Sequence, residues 1–120
     1  MTRAATSFAG AYPNAWMPSV VQNLTAAGTT QANALAIPAG QDTSIFSTVA
    51  SGTGTSLPAV GVSVGETYTV ANHGANALLI YSGSSTGKIG TLGAGSGFSL
   101  TSGLAISMLY IGSQNWCVGV

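Results

Sequence analysis

Charge is what this chain has least of. Arg3, Asp42, Glu66 and Lys88 are its only formally charged residues, 3% of 120, where about a quarter is usual. Two cations cannot neutralise a run of phosphates, which excludes nucleic acid as a main partner. The same shortage excludes an anionic membrane surface. A single cysteine, Cys117, rules out an intrachain disulfide and fits synthesis in a reducing cytoplasm. No apolar run nears the ~20 residues that span a bilayer. The longest candidate, residues 104–111, is interrupted by Ser107. The opening residues make a poor secretory leader, because Gly10, Pro13 and Asn14 break the apolar segment behind Arg3.

The residues that carry chemistry are equally scarce. His73 is the sole histidine and lies between Asn72 and Gly74, where a turn histidine facing solvent is expected. A metal site needs three or four ligands, and His73, Cys117, Asp42 and Glu66 are all the chain can offer. Asp42 and Glu66 would have to form any carboxylate pair of the glycosidase type. Beside turns at strand edges, they read instead as single charges that discourage edge-to-edge association. Cys117 has only His73 as a base, and its apolar strand points to an inert core or interface thiol. The glycines of residues 90–97 never complete G-x-G-x-x-G or G-K-[ST], so they form a flexible connection rather than a phosphate loop. Asn23-Leu24-Thr25 fits a glycosylation sequon that has no meaning without a secretory leader. An enzyme is not expected, and no cofactor is implied.

What the chain does have is small residues and hydroxyls. Ala (18) and Gly (17) dominate the apolar side, and Ser (15) and Thr (14) supply the polarity. Ala adds little to a core compared with the roughly 1.5–3 kcal/mol of a buried large side chain. Part of the stability is therefore expected from contact with copies of itself or with a host surface. Near-zero net charge also favours association.

Residues 1–22 differ from the remainder. Phe8, Tyr12, Trp16 and Met17 are large and apolar, and Pro13 and Pro18 discourage helix around them. They read as an extended N-terminal arm whose four large side chains bind another protein surface. Residues 23–120 read as one β domain. Strands are predicted at residues 31–37, weakly, and at 43–50, with Ile45 and Val49 on one face and Phe46 on the other. Residues 66–72 alternate, with Tyr68 and Val70 inward and Thr67 and Thr69 outward. Residues 72–76 form a tight turn and 77–81 a central strand. Further strands start at Phe98 and run over 104–111. A turn at 112–115 leads to a closing strand with Trp116, Val118 and Val120 on one face. Seven or eight short strands at 8–12-residue spacing predict an all-β fold, a small antiparallel β-sandwich or barrel.

Residues 23–36 (NLTAAGTTQANALA), 48–58 (TVASGTGTSLP), 66–81 (ETYTVANHGANALLIY) and 88–116 (KIGTLGAGSGFSL to NW) carry a further signal. Together they resemble a group of small tailed-bacteriophage virion proteins. In that group a GTG-x-x-LP run precedes a strand, an N-x-G-A-N-A-L-x-V/I-Y turn-strand follows, and a late Trp closes the domain. Ile89-Gly90-Thr91-Leu92 stands where an I-N-G-L turn is more usual. The resemblance implies a structural virion component, above all a capsid decoration (cement) protein on the outside of a phage head. Its expected partners are the major capsid protein and itself, as a homotrimer. The alternative is a receptor- or carbohydrate-binding module of a tail fibre, for which Tyr81, Tyr110 and Trp116 are candidates that their strand phase places in the core first.

Overall fold

The computed structural model describes residues 19–119. The strands fall into two sheets. The five-stranded sheet holds, in order, β1 (Val20–Thr25), β3 (Thr43–Thr48), β5 (Thr67–Asn72), β8 (Ala105–Gly112) and β9 (Asn115–Gly119). The four-stranded sheet holds β2 (Leu35–Ala36), β4 (Gly54–Ser56), β6 (Leu78–Tyr81) and β7 (Phe98–Leu100). One 3-10 turn, Gln31–Asn33, is the only helical element among the described residues.

The fold is all-β, but its first half is not antiparallel. β1, β3 and β5 pair parallel, as do β2, β4 and β6. The chain alternates between the sheets, laying one strand on each per winding. Register runs from Val20 to Thr43 to Thr69 on one sheet, and from Leu35 to Thr55 to Ile80 on the other. Parallel neighbours need a long return connection, and here the opposite sheet provides it. The turns at Pro38 to Gly40 and Ser51 to Gly54 are corners that carry the chain from one sheet to the other. Gly40 (φ 94°) and Gly52 (φ 81°) take left-handed backbone at those corners. Only the last third reverses: β6–β7, β5–β8 and β8–β9 are antiparallel. The β8–β9 loop is a true two-residue turn, with Ser113 (φ 54°) and Gln114 (φ 64°) both left-handed, as a primed hairpin turn requires.

Other boundaries shift too. Val20, Val21 and Gln22 belong to β1 rather than to an arm. The weak strand over 31–37 shrinks to the 3-10 turn and the two residues of β2. In β3 the inward residues are Ser44 and Phe46; Ile45 lies half-buried on the other face, and Val49 is buried beyond the strand end. Residues 67–72 and 106–116 behave as the alternation predicts, with Tyr68, Val70, Met108, Tyr110 and Trp116 all buried; Leu104, which the alternation sets on the face of Ile106, Met108 and Tyr110, instead precedes β8 and is 55% exposed.

The inward side chains of both sheets join in one apolar cluster. Phe46, Tyr68, Val70, Met108 and Trp116 come from the larger sheet, and Leu78, Ile80 and Leu100 from the smaller. Ile37, Leu57 and Ile89 reach it from the connections. Trp116 stands at its centre, edge-on to Tyr68 (centroids 5.5 Å apart) and tilted against Tyr110 (4.9 Å). Residues 82–97 are not a loose connection. Gly87 and Ile89 are buried, and Lys88 and Gly90 bond to both backbone groups of Trp116.

Candidate contact surface

The motif residues behind the resemblance are interior fasteners. Asn72 is buried, and its side chain makes three hydrogen bonds. Nδ2 donates to the carbonyls of Asn76 (2.8 Å) and Leu100 (2.9 Å), and Oδ1 accepts from the N–H of Gly74 (2.9 Å). Asn76 in turn donates to the carbonyl of Val49 (2.8 Å). This turn therefore ties β3, β5 and β7 together instead of offering donors to a ligand. Tyr81 lies over the outer side of the smaller sheet, between Gly54 and Gly97. A methyl group on either glycine would stand 2.9 Å from the Tyr81 ring.

The residues weighed for chemistry are scattered or occupied. His73 is exposed. Cys117 is exposed as well, not a core thiol, because it falls on the outward side of β9 opposite Leu109. Asp42 is buried rather than guarding an edge, and its Oδ2 accepts the backbone N–H of Ser19 (2.9 Å). Glu66 accepts the N–H of Ser63 (3.1 Å) and the hydroxyl of Tyr68 (3.3 Å). Among the described residues no three His, Cys, Asp or Glu side chains gather as a metal site would require. Tyr81, Tyr110 and Trp116 are all buried, leaving no ring face for a sugar. Phe8, Tyr12, Trp16 and Met17 lie outside the described residues.

The hydroxyl of Tyr68 is held away from its ordinary pKa. Burial pushes its pKa above 10.0; the N–H of Gly40 pulls it down, and the negative charges of Glu66 and Asp42 add to the rise. A neutral form favoured by folding stabilises fully below the unfolded value near 10 and is lost as pH climbs through the folded one. Unfolding midpoints in urea should therefore decline above roughly pH 10. Tyr68→Phe should flatten that decline while lowering stability at pH 7, since the hydroxyl also accepts from Gly40 (3.0 Å). An unchanged alkaline limb in Tyr68→Phe would remove Tyr68 as its source.

What remains on the surface is an uncharged face and an apolar cleft. The outer side of the five-stranded sheet is set by its register. Thr67, Leu109 and Cys117 form one row, Thr43, Thr69, Ser107 and Gly119 a second, and Ile45, Ala71 and Ala105 a third. None is charged. Leu109 and Ile111 are 38% and 48% exposed within it, and Thr69 and Ser107 share a hydrogen bond across the strands (3.2 Å). Sequence alternation along β8 separates two faces that are both largely apolar, and the structure shows Met108 and Tyr110 buried and Leu109 and Ile111 exposed.

The cleft lies where the sheets end together, between β7 and β9. It has two adjoining parts, of about 470 and 430 Å³, that meet at Phe98. Leu92, Cys117 and Val118 line the first; Leu104, Ile106 and Gly119 line the second. Its walls are mostly apolar, with Thr91, Ser99 and Thr101 among the lining residues, so it can take a large hydrophobic side chain. No family model, curated protein or solved structure matches the chain.

Proposed function

We propose that this chain is a capsid decoration protein of a tailed bacteriophage, made in the host cytoplasm and mounted on the outside of the head. In this reading the two sheets are the halves of a small β-sandwich. Three copies associate, and each sets its uncharged face against the major capsid protein. Residues 1–18 serve as an arm, with Phe8, Tyr12, Trp16 and Met17 as its anchors. The observation that carries the reading is the face itself: Leu109 and Ile111 exposed among Thr, Ser and Ala, without a charge to keep them solvated. Such a surface suits burial against protein, since charged residues are depleted at interface centres. A repeating shell needs only weak contacts per copy, because symmetry and an arm convert them into avidity.

The test is addition of purified protein to undecorated heads, with occupancy read by electron microscopy. Trp16→Ala should reduce occupancy about tenfold at limiting concentration, the loss typical of a buried aromatic anchor, with the thermal unfolding of the domain unchanged. Full occupancy by that variant would remove the arm from the account. Binding to host cells in place of heads would move the protein to the tail-fibre class.

A further inference from the structure

We infer that Trp16 of one copy occupies the cleft between β7 and β9 of a neighbouring copy, closing the oligomer head to tail. This rests on the reading of residues 1–18 as a binding arm of a homo-oligomer. Reach decides which copy supplies the cleft. The arm leaves the domain at Ser19, which is held at both its backbone groups: its N–H by Asp42 and its carbonyl by the N–H of Thr43 (2.9 Å each). That root sits beside β1, at one edge of the five-stranded sheet, and the cleft lies at the other edge, past β9. Four strand spacings of about 4.8 Å separate β1 from β9, roughly 19 Å. Trp16 is three residues from Ser19, a span of at most about 10 Å when extended. Trp16 therefore cannot enter the cleft of its own chain. A neighbour whose β9 edge faces this β1 edge brings the cleft within range.

The cleft suits this occupant. It is mostly apolar and each part is large, while an aromatic side chain buries about 150–250 Å². Its floor also offers backbone. Trp116 turns its N–H and carbonyl away from β8, toward Lys88 and Gly90. By strand alternation Val118, two residues on, turns its own pair outward beside the cleft. Pro13 and Pro18 disfavour helix in the sequence around Trp16, which suits pairing at an edge. An arm that leaves one edge and enters the opposite edge of the next copy is a heterologous contact, which closes into a ring when the rotation allows.

Disulfide trapping tests this with the full chain. One protein carries Ala15→Cys together with Cys117→Ser and keeps Trp16; the other is unaltered and has Cys117 alone, exposed at the cleft. The two are mixed, oxidised mildly and mapped by mass spectrometry. A 15–117 link can then form only between copies, and it should be the main product. Leu104→Glu in the unaltered partner should reduce its yield at least about tenfold, and circular dichroism should show that variant folded. Finding only 15–15 and 117–117 links, or none, overturns the inference, as does an undiminished yield with Leu104→Glu. Head binding separates the two ideas. Heads decorated by a protein that gives no 15–117 link leave the capsid reading standing and this one fallen. A strong link in a protein that ignores heads does the reverse.

Discussion

Asn72→Asp is expected to remove about 3–5 kcal/mol of stability at pH 7, a large part of what a domain this size has. The two side chains are nearly the same shape, so packing is not the cause. Asn72 donates two hydrogen bonds, to the carbonyls of Asn76 and Leu100, and accepts one from Gly74. A carboxylate keeps only the acceptor. It also sets negative charge against two carbonyl oxygens in a position 1% exposed, and burial without donors drives such a group toward its neutral form. The penalty should therefore shrink as pH falls toward 4, close to the unfolded carboxyl's own pKa of about 3.9, where most of the ionisation cost is gone. Asn72→Ala, which has no proton to gain, should be costly at both values. Urea midpoints at pH 4 and pH 7 for the three proteins decide it. An aspartate variant as stable as the parent at pH 7 would mean that the turn is held by something other than this side chain.

That turn also shows what is legible in the sequence. Period-two alternation in Thr67 to Asn72 and Ala105 to Tyr110 reveals their buried faces, because one face of each strand meets the core and the other does not. Strand direction is not legible. A Gly- or Pro-bearing corner that carries the chain to the opposite sheet has the same composition as a hairpin, and strands of two to six residues suit either. Ser51-Gly52-Thr53-Gly54 looks like a hairpin loop and is a crossing between sheets. Asp42 departs from its expected edge role for a related reason. Its value lies in a partner 23 residues earlier in the chain, the N–H of Ser19, which local pattern does not reveal. The cleft is hidden in the same way, since Leu92, Leu104 and Val118 come together only through the pairing of β7 and β9 with their separate sheets.

Scarcity of charge acquires a structural meaning once the fold is known. With Asp42 buried and Glu66 bonded to Ser63 and Tyr68, two of the four charged residues serve the interior or a turn. Nothing ionic remains along the outer rows of the five-stranded sheet. The polar atoms there are the hydroxyls of Thr43, Thr67, Thr69 and Ser107, which can bond to each other or to protein and lose little when water is removed. Hydroxyls of this kind tolerate being covered by another protein surface where they find hydrogen-bond partners there.

Gly54→Ala should cost the fold about 3 kcal/mol, the upper end of the usual overpacking range, whereas Gly52→Asn should fall within about 0.5 kcal/mol of the parent. The two glycines flank Thr53 in one short motif but are glycine for different reasons. Gly52 has left-handed backbone, and no atom lies within 4 Å of the place a Cβ would take, so asparagine, which tolerates that conformation, fits. Gly54 has ordinary extended backbone and no room. A methyl there would sit 2.5 Å from the carbonyl oxygen of Leu79 and 2.9 Å from the Tyr81 ring. The carbonyl belongs to the adjacent strand β6 and cannot move without opening the β4–β6 pairing. Tyr81 is closed off on its other side by Gly97, so it cannot swing clear. The measurement is the urea midpoint of each variant, and equal losses for both would mean that backbone freedom, not space, dictates glycine at residue 54. Gly97→Ala should cost less than Gly54→Ala, since its methyl would meet only side chains, the Tyr81 ring at 2.9 Å and the Leu79 Cβ at 3.2 Å, and Tyr81→Leu in the Gly54→Ala background should recover part of the loss, because removing the ring relieves the second contact while the first, with the Leu79 carbonyl, persists.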